Sequence, residues 1–234
     1  MNWVDLYLSV REKEGRLYPD DLAARLPHLP PNHPLADEWR ARAASSDRLR
    51  RYLTRSSRPL AILELGCGNG WLSHQLACIP SAWVCGIDRN SIEIAQAARL
   101  FTGPNLTFLE TDISNLPFSR RSFDVILLAS VIQYIPDLPA LIHDLQPVLK
   151  PGGETHLLDS PLYEPGELLS ARQRTRSYYD SLGFSEMAGH YFHHPVSSLD
   201  PFSPHWLYRP DSLKARLARS LGQAVSPFPW ICLR

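Results

Sequence analysis

Gly66, Gly68 and Gly70 stand at every second position directly after the apolar run 60–65. Glycines so spaced let the chain turn tightly and bring backbone N–H groups against a ligand with no Cβ in the way. Two carboxylates close the next two apolar runs: Asp88 after 82–87, 18 residues beyond Gly70, and Asp112 after 106–110. A carboxylate in the first place can accept both hydroxyls of a ribose, and one in the second lies within reach of an adenine amino group. The set points to a nucleoside ligand without a diphosphate. A dinucleotide turn needs its third glycine at position 71, where Trp71 stands, and no G-K-[ST] phosphate clamp occurs. A nicotinamide dehydrogenase is therefore the least favoured reading.

These residues must be positioned by the elements around them. Apolar runs at 60–65, 82–87, 106–110, 123–129 and 153–159 read as strands. Helical patterns at 71–78, 91–101 and 138–149 alternate with them, the second with Ser91 near its N-cap and the third closed by Lys150-Pro151-Gly152-Gly153. Alternation of this kind means right-handed crossovers and a mostly parallel sheet with helices on both faces, a Rossmann-like α/β fold. Ligands bind such sheets at the carboxyl ends of the strands, where all three features lie. Outside this middle the chain is irregular, holding 15 of its 21 prolines. The head carries a short helix near 4–13 and a longer one over 37–54, whose buried face is Trp39, Ala43, Leu49 and Leu53. Arg40, Arg42, Arg48, Arg50, Arg51 and Arg55 on its other face read as a solvated surface. The tail offers helices over 167–182 and 211–221, and an apolar end, 228–233, that suits a final strand added at the sheet edge.

The motifs together resemble a known family. Glu64-Leu65-Gly66-Cys67-Gly68-Asn69-Gly70 is similar to the E/D-x-G-x-G-x-G signature of class I S-adenosylmethionine (SAM) dependent methyltransferases, and Asp88 in Gly86-Ile87-Asp88 matches their ribose-binding acid. Thr111-Asp112-Ile113, Leu116-Pro117-Phe118 and Ser122-Phe123-Asp124 resemble the adenine-side segment of the small-molecule branch called type 11. Ala129–Tyr134 and Leu149–Gly153 resemble the motifs after strand 4 and before strand 5. The resemblance covers about residues 60–160. It implies a SAM-binding core at 59–161, with 1–58 as a helical cap and 162–234 completing the same domain. It also implies roles for single residues. Glu64, Gly66, Cys67, Gly68 and Gly70 form the turn that cradles the amino-acid part of SAM. Asp88 binds the ribose and Arg89 borders the adenine. Asp112 and the backbone of Ile113 read the adenine edge, and Ala129, Ser130 and Gln133 flank the sulfonium. Type 11 members often carry His where Gln133 stands, so a base at that position is absent.

Any base must come from elsewhere, and His193 and His194 are the catalytic candidates, in the aromatic loop 189–194. Tyr18, His33, Tyr134, Tyr191 and Trp206 are candidates for an acceptor pocket, because head and tail should fold over the carboxyl edge. No metal site is expected, since adjacent His193 and His194 diverge in an extended segment. Composition narrows the partners: 24 basic against 24 acidic side chains give no global field to recruit nucleic acid or a membrane. The longest apolar stretch, 125–135, is too short to span a bilayer, the N-terminus lacks signal-peptide order, and the four cysteines form no CxxC pair. The expectation is a cytoplasmic globular methyltransferase that moves a methyl group from SAM to oxygen or nitrogen of a small-molecule acceptor, leaving S-adenosylhomocysteine. Two alternatives remain open: a non-catalytic SAM-binding scaffold subunit, and an RNA or protein methyltransferase using the arginine face.

Overall fold

The computed structural model describes residues 2–234. The head folds as helices α1 (Trp3–Lys13), α2 (Asp20–Ala23) and α3 (Ala36–Leu53). The middle alternates as β1 (Leu60–Leu65), α4 (Trp71–Ala77), β2 (Ala82–Asp88), α5 (Ser91–Leu100), β3 (Leu106–Glu110), β4 (Phe123–Ala129), α6 (Leu138–Leu145) and β5 (Leu149–Leu158). The tail adds α7 (Leu168–Leu182), β6 (His205–Tyr208), α8 (Leu213–Ser220) and β7 (Trp230–Leu233). The seven strands form one sheet in the order β3-β2-β1-β4-β5-β7-β6, the first five parallel. The chain runs outward from β1 to β3 and then restarts at β4 beside β1, so the strand order reverses there and opens a crevice at the carboxyl ends of β1 and β4.

Period-two alternation builds a core on each face. Ile62, Val125 and Leu127 face Leu49, Leu53, Leu72 and Leu76 of α3 and α4. Leu63, Leu65, Ile126 and Leu128 face Leu138, Ile142 and Leu145 of α6. Asp124 ties the base of the sheet together, accepting from Lys150 Nζ at 2.7 Å and from Ala61 N at 2.9 Å.

One local feature refines the expectation and two depart from it. The N-cap of α5 is Asn90, whose side chain accepts from the Ile92 and Glu93 N–H groups, one residue before Ser91. The C-terminal strand joins beside β5, antiparallel, and β6 pairs on its outer side, so β7 lies inside the sheet and β6 is its border. The arginine face of α3 is only partly solvated: the Arg48 guanidinium lies 4.0 Å from the centroid of the Tyr208 ring, and Arg42 turns inward to Ser130 Oγ at 2.9 Å.

A third apolar cluster joins the two irregular ends. Leu6 and Val10 of α1 pack with Tyr179 of α7 and Met187, and Tyr178 donates to Glu14 Oε1 at 2.6 Å. Head and tail thus form one roof over the carboxyl edge. No helix among the described residues is long and apolar enough to cross a membrane.

Candidate active site

The turn after β1 is held by sterics. Gly66 and Gly70 have φ of 69° and 77°, where L side chains are strained. A Cβ on Gly66 would lie 2.4 Å from Val131 Cγ2, and one on Gly70 would lie 2.6 Å from the Phe108 ring. Gly68 also has a positive φ, 52°, but the nearest atom to an added Cβ is Glu93 Oε1 at 3.5 Å, an ordinary contact beside the carboxylates. Gly70 therefore packs helix on sheet, and Gly68 presents backbone to a ligand. Trp71 begins α4 and meets Trp39 edge-on at 5.2 Å, fastening α3 to the turn.

Asp88 at the end of β2 accepts from the Gly68 N–H and the Asn90 N–H, both at 2.9 Å, one on each oxygen. Each oxygen keeps a lone pair for a further donor. Burial raises its pKa against these bonds. Glu64 and Glu93 stand nearby. Burial pushes Glu64 up to about 8, despite a bond from Ser73, and Glu93 up to about 7. Crowded in a buried turn, the acids also raise one another's proton affinity.

Two cavities open along the crevice. One of about 500 Å³ is floored by Gly66, Gly68, Asp88 and Asp112, walled by Ile113, Val131 and Leu141, and roofed by Trp3 and Tyr7 of α1. Arg89 stacks over Trp3 at 4.4 Å and reaches Asp112 at 3.9 Å. Asp112 holds its own turn through the Ser114 N–H and hydroxyl, which lower its pKa. The second, of about 760 Å³, lies under α1, α3 and α7, with Tyr134, Tyr178, Tyr179, Tyr191 and Phe228 in its walls. A small cleft of about 120 Å³ at the glycine turn, lined by Glu64, Glu93, Arg16, Arg42 and Asp159, borders both. Ser130 lines all three.

One wall of the larger cavity is a ladder of alternating charges. Arg11 donates to Tyr134 Oη at 2.7 Å and to Glu14 at 2.9 Å, and Arg16 lies 3.3 Å from Glu14. Arg16 then grips Glu38 with two bonds of 2.7 Å, and Arg42 bridges Glu38 to Ser130. Burial opposes ionisation of Glu38, but the two arginines hold its pKa down at about 2. The ladder ends beside Asp159 at the tip of β5. Its Oδ1 accepts from Ser45 and Ser226 hydroxyls at 2.8 and 2.7 Å, which leaves Oδ2 for a ligand. Burial raises the Asp159 pKa, with Arg42 opposing. Ser130 and Asp159 end adjacent strands in the left-handed region, at φ 57° and 50°, and the Ser130 hydroxyl donates to the Asp159 carbonyl at 2.9 Å. Backbone strain at paired strand ends is common in ligand sites.

The structure gathers most of the residues singled out from sequence. Gly66, Gly68, Asp88, Arg89, Asp112, Ile113 and Ser130 line the first cavity. Glu64, Cys67, Ala129 and Tyr18 line the glycine-turn cleft. Gln133, Tyr134 and Tyr191 line the larger cavity; Gln133 donates to the Ser130 carbonyl at 2.8 Å, and its buried Oε1 has no partner. Gly70 is behind the turn. Four others are not brought in. His193 is buried and bonds Thr175 Oγ1 at 2.9 Å, and His194 is buried on the Ile132 carbonyl at 2.9 Å. Burial lowers the pKa of both, and neither lines a cavity, so both pack the tail against the sheet. His33 accepts from Leu35 N–H at 3.1 Å beside Tyr18, and Trp206 packs on the sheet core under Arg209. Sequence reasoning missed Trp3, Tyr7, the ladder and Asp159. The alternating signs of Arg11, Glu14 and Arg16 were the available signal.

Glu154, His156 and Cys232 offer donor atoms within 4.8 Å of one another. Trp230 Nε1, which can only donate, bonds His156 Nδ1 at 3.1 Å, so Nε2 carries the ring proton and faces Glu154 at 3.3 Å. A metal at Nε2 would have to displace that proton and leave an imidazolate. The trio is a hydrogen-bonded cluster, not a metal centre.

A parallel sheet with a glycine turn after its first strand, an acid ending the second and a reversal at the fourth defines a Rossmann-like methyltransferase fold. Residues 62–153 match the family model described as a methyltransferase domain. The chain is 33% identical over 121 residues to a demethylmenaquinone methyltransferase of Chlorobaculum tepidum, covering 52% of this chain and 48% of that protein. It is 39% identical over 98 residues to a trans-aconitate 2-methyltransferase of Deinococcus radiodurans, covering 41% and 36%. It spans about half the length, or less, of these curated relatives. Among solved structures, the plantazolicin methyltransferase BpumL in complex with S-adenosylhomocysteine shares the fold at a TM-score of 0.56, with 18% identity and 97% of both chains covered. Residues 62–153 thus match a methyltransferase domain on a Rossmann-like fold, for which SAM is the implied cofactor. The residues present fit that group. The open cradle at Gly68, the free lone pairs of Asp88 and an apolar cavity of nucleoside dimensions suit its adenosyl part. The cleft of acids and arginines suits a zwitterionic amino-acid end.

Proposed function

We propose that this chain transfers the methyl group of SAM to oxygen or nitrogen of a small, ring-bearing acceptor held in the tyrosine-walled cavity. The observation that carries the proposal is the position of Ser130. It lines the adenosyl-side cavity, the glycine-turn cleft and the larger cavity, so cofactor and acceptor meet at one junction. The relatives named above act on small molecules, which supports an acceptor of that kind.

Bound SAM supplies an activated methyl on a sulfonium, and transfer is an in-line displacement that leaves S-adenosylhomocysteine. The protein's task is alignment and exclusion of water, worth up to ~7–11 kcal/mol. The glycine turn and Asp88 hold one side, and the tyrosines with the Arg11–Arg42 ladder hold the other. The roof of α1 and α7 covers the acceptor side. An O–H or N–H acceptor must lose its proton as its new bond to carbon forms. Asp159 is placed to take it: Oδ2 is free, burial raises its proton affinity, and Ser45 and Ser226 fix its orientation.

Calorimetric titration with S-adenosylhomocysteine, with NADH as control ligand, tests the reading. One-to-one binding of the former alone is expected, weakened about 100-fold in a folded Asp88→Ala protein that loses two charge-assisted bonds. No binding by the parent chain, or binding unchanged by the substitution, would overturn the cofactor assignment.

A further inference from the structure

Helix α8 exposes the wrong side chains for a helix of a globular domain. Leu213, Leu217 and, at its C-cap, Leu221 are 82%, 62% and 68% exposed, while the helix is anchored by Ala215 alone among its buried residues. At about 100° per residue the three leucines fall within one arc of about 80°, opposite Ala215. Arg216 and Lys214 flank that arc on its two sides, and Arg209 and Arg219 lie nearby. Across 209–221 there are four cations and one carboxylate, Asp211. The neutral total charge of the chain conceals this local patch.

We propose that α8 is a membrane-surface helix, which lays its leucine stripe into the interface of an anionic lipid bilayer while Lys214 and Arg216 meet the headgroups. An apolar face flanked by cations is the arrangement that interfacial helices use. Area also discriminates. A stable protein interface buries on the order of 1,000 Å² or more, which three leucines on a single helix cannot supply, whereas a bilayer gains from each inserted side chain separately. The placement has a bearing on the site: the segment 225–228, just beyond α8, contributes Val225, Ser226, Pro227 and Phe228 to the larger cavity. The inference concerns a surface and stands whether or not the chain transfers methyl groups.

The test is sedimentation of the full chain with vesicles of phosphatidylcholine alone, or with one quarter phosphatidylglycerol. Binding to the anionic vesicles is expected, with little to the neutral ones. The triple variant Leu213→Ser/Leu217→Ser/Leu221→Ser should weaken it by about tenfold or more, and Lys214→Ser/Arg216→Ser should do the same at low salt. None of the three leucines belongs to a core cluster, so the triple variant should melt with the parent, as circular dichroism can verify. Absence of binding to anionic vesicles, or binding that the leucine variant leaves unchanged, would overturn the proposal. So would leucine-dependent self-association in sedimentation velocity without lipid binding, which would assign the stripe to a second copy of the chain.

Discussion

Between β1 and α5 the site is made of backbone: two glycines that tolerate no Cβ, N–H groups at the ends of helices, and an acid held by main-chain donors. Beneath α1, α3 and α7 it is made of side chains: five aromatic rings and five alternating charges drawn from segments far apart in sequence. The backbone half is specified locally, because a turn of given φ angles needs glycine at fixed offsets whatever surrounds it. The side-chain half is specified only by the tertiary fold, since Arg16 finds Glu38 and Arg42 finds Ser130 after the head has docked. In the proposed function, cofactor chemistry can thus stay constant on a floor of main chain while acceptor recognition sits on a roof with no fixed pattern.

The sharpest separation of the two halves should come from Asp159→Asn, which keeps an oxygen for Ser45 and Ser226 but cannot accept a proton. The expected result is a fall in kcat of about 100-fold or more, well beyond any loss of affinity for S-adenosylhomocysteine. Steady-state kinetics beside calorimetry measures both. An equal loss in the two would merge the halves.

Next in size, Gly70→Ala should destabilise the fold by about 2–4 kcal/mol, because overpacking against Phe108 adds to a strained φ. Gly68→Ala should lose less, about 1–2 kcal/mol from its positive φ alone, yet weaken ligand binding, because its Cβ meets nothing closer than 3.5 Å. Urea melts with and without S-adenosylhomocysteine distinguish packing from cradle.

The smallest effect is in pH. Glu64 and Glu93 titrate near about 8 and about 7 when folded, against a usual 4.5. Below 4.5 they are protonated in both states. Between 4.5 and about 8 the unfolded chain ionises first and the folded one holds its protons, so stability falls as pH rises through that window and levels above it. Glu38, held at about 2, acts only below 4.5, where its stabilisation is lost on acidification. Thermal melts should show Tm declining from pH 5 to 8 by roughly 2–4 °C per kcal/mol lost, and Glu93→Gln should flatten part of the slope.

The same division explains what could be read before folding. β1 to β4 fall within a residue of their apolar runs, and Asp88 and Asp112 stand where strand ends place them. β6 escaped because its first residue is exposed, the other three are half-buried, and they pair with β7, more than twenty positions away. The arginines of α3 looked solvated because a helical wheel does not show that Ser130 and Tyr208 will come to meet Arg42 and Arg48. His193 and His194 drew attention by type, but their ring nitrogens are consumed by Thr175 and a carbonyl, a use that only the packed tail reveals.

The larger cavity is walled by pieces of several separate stretches: the end of α1, the start of α3, the segment after β4, the tip of β5, α7, Tyr191 and the loop before β7. None of its side chains belongs to the turn between Gly66 and Gly70 or to the strand ending at Asp88. Mutational drift can therefore sample new acceptor shapes piecewise, one stretch at a time, while the adenosyl half is inherited unchanged. A lineage built this way should diversify its substrates faster than its cofactor, and a designer could follow the same route by recombining heads and tails on a common middle.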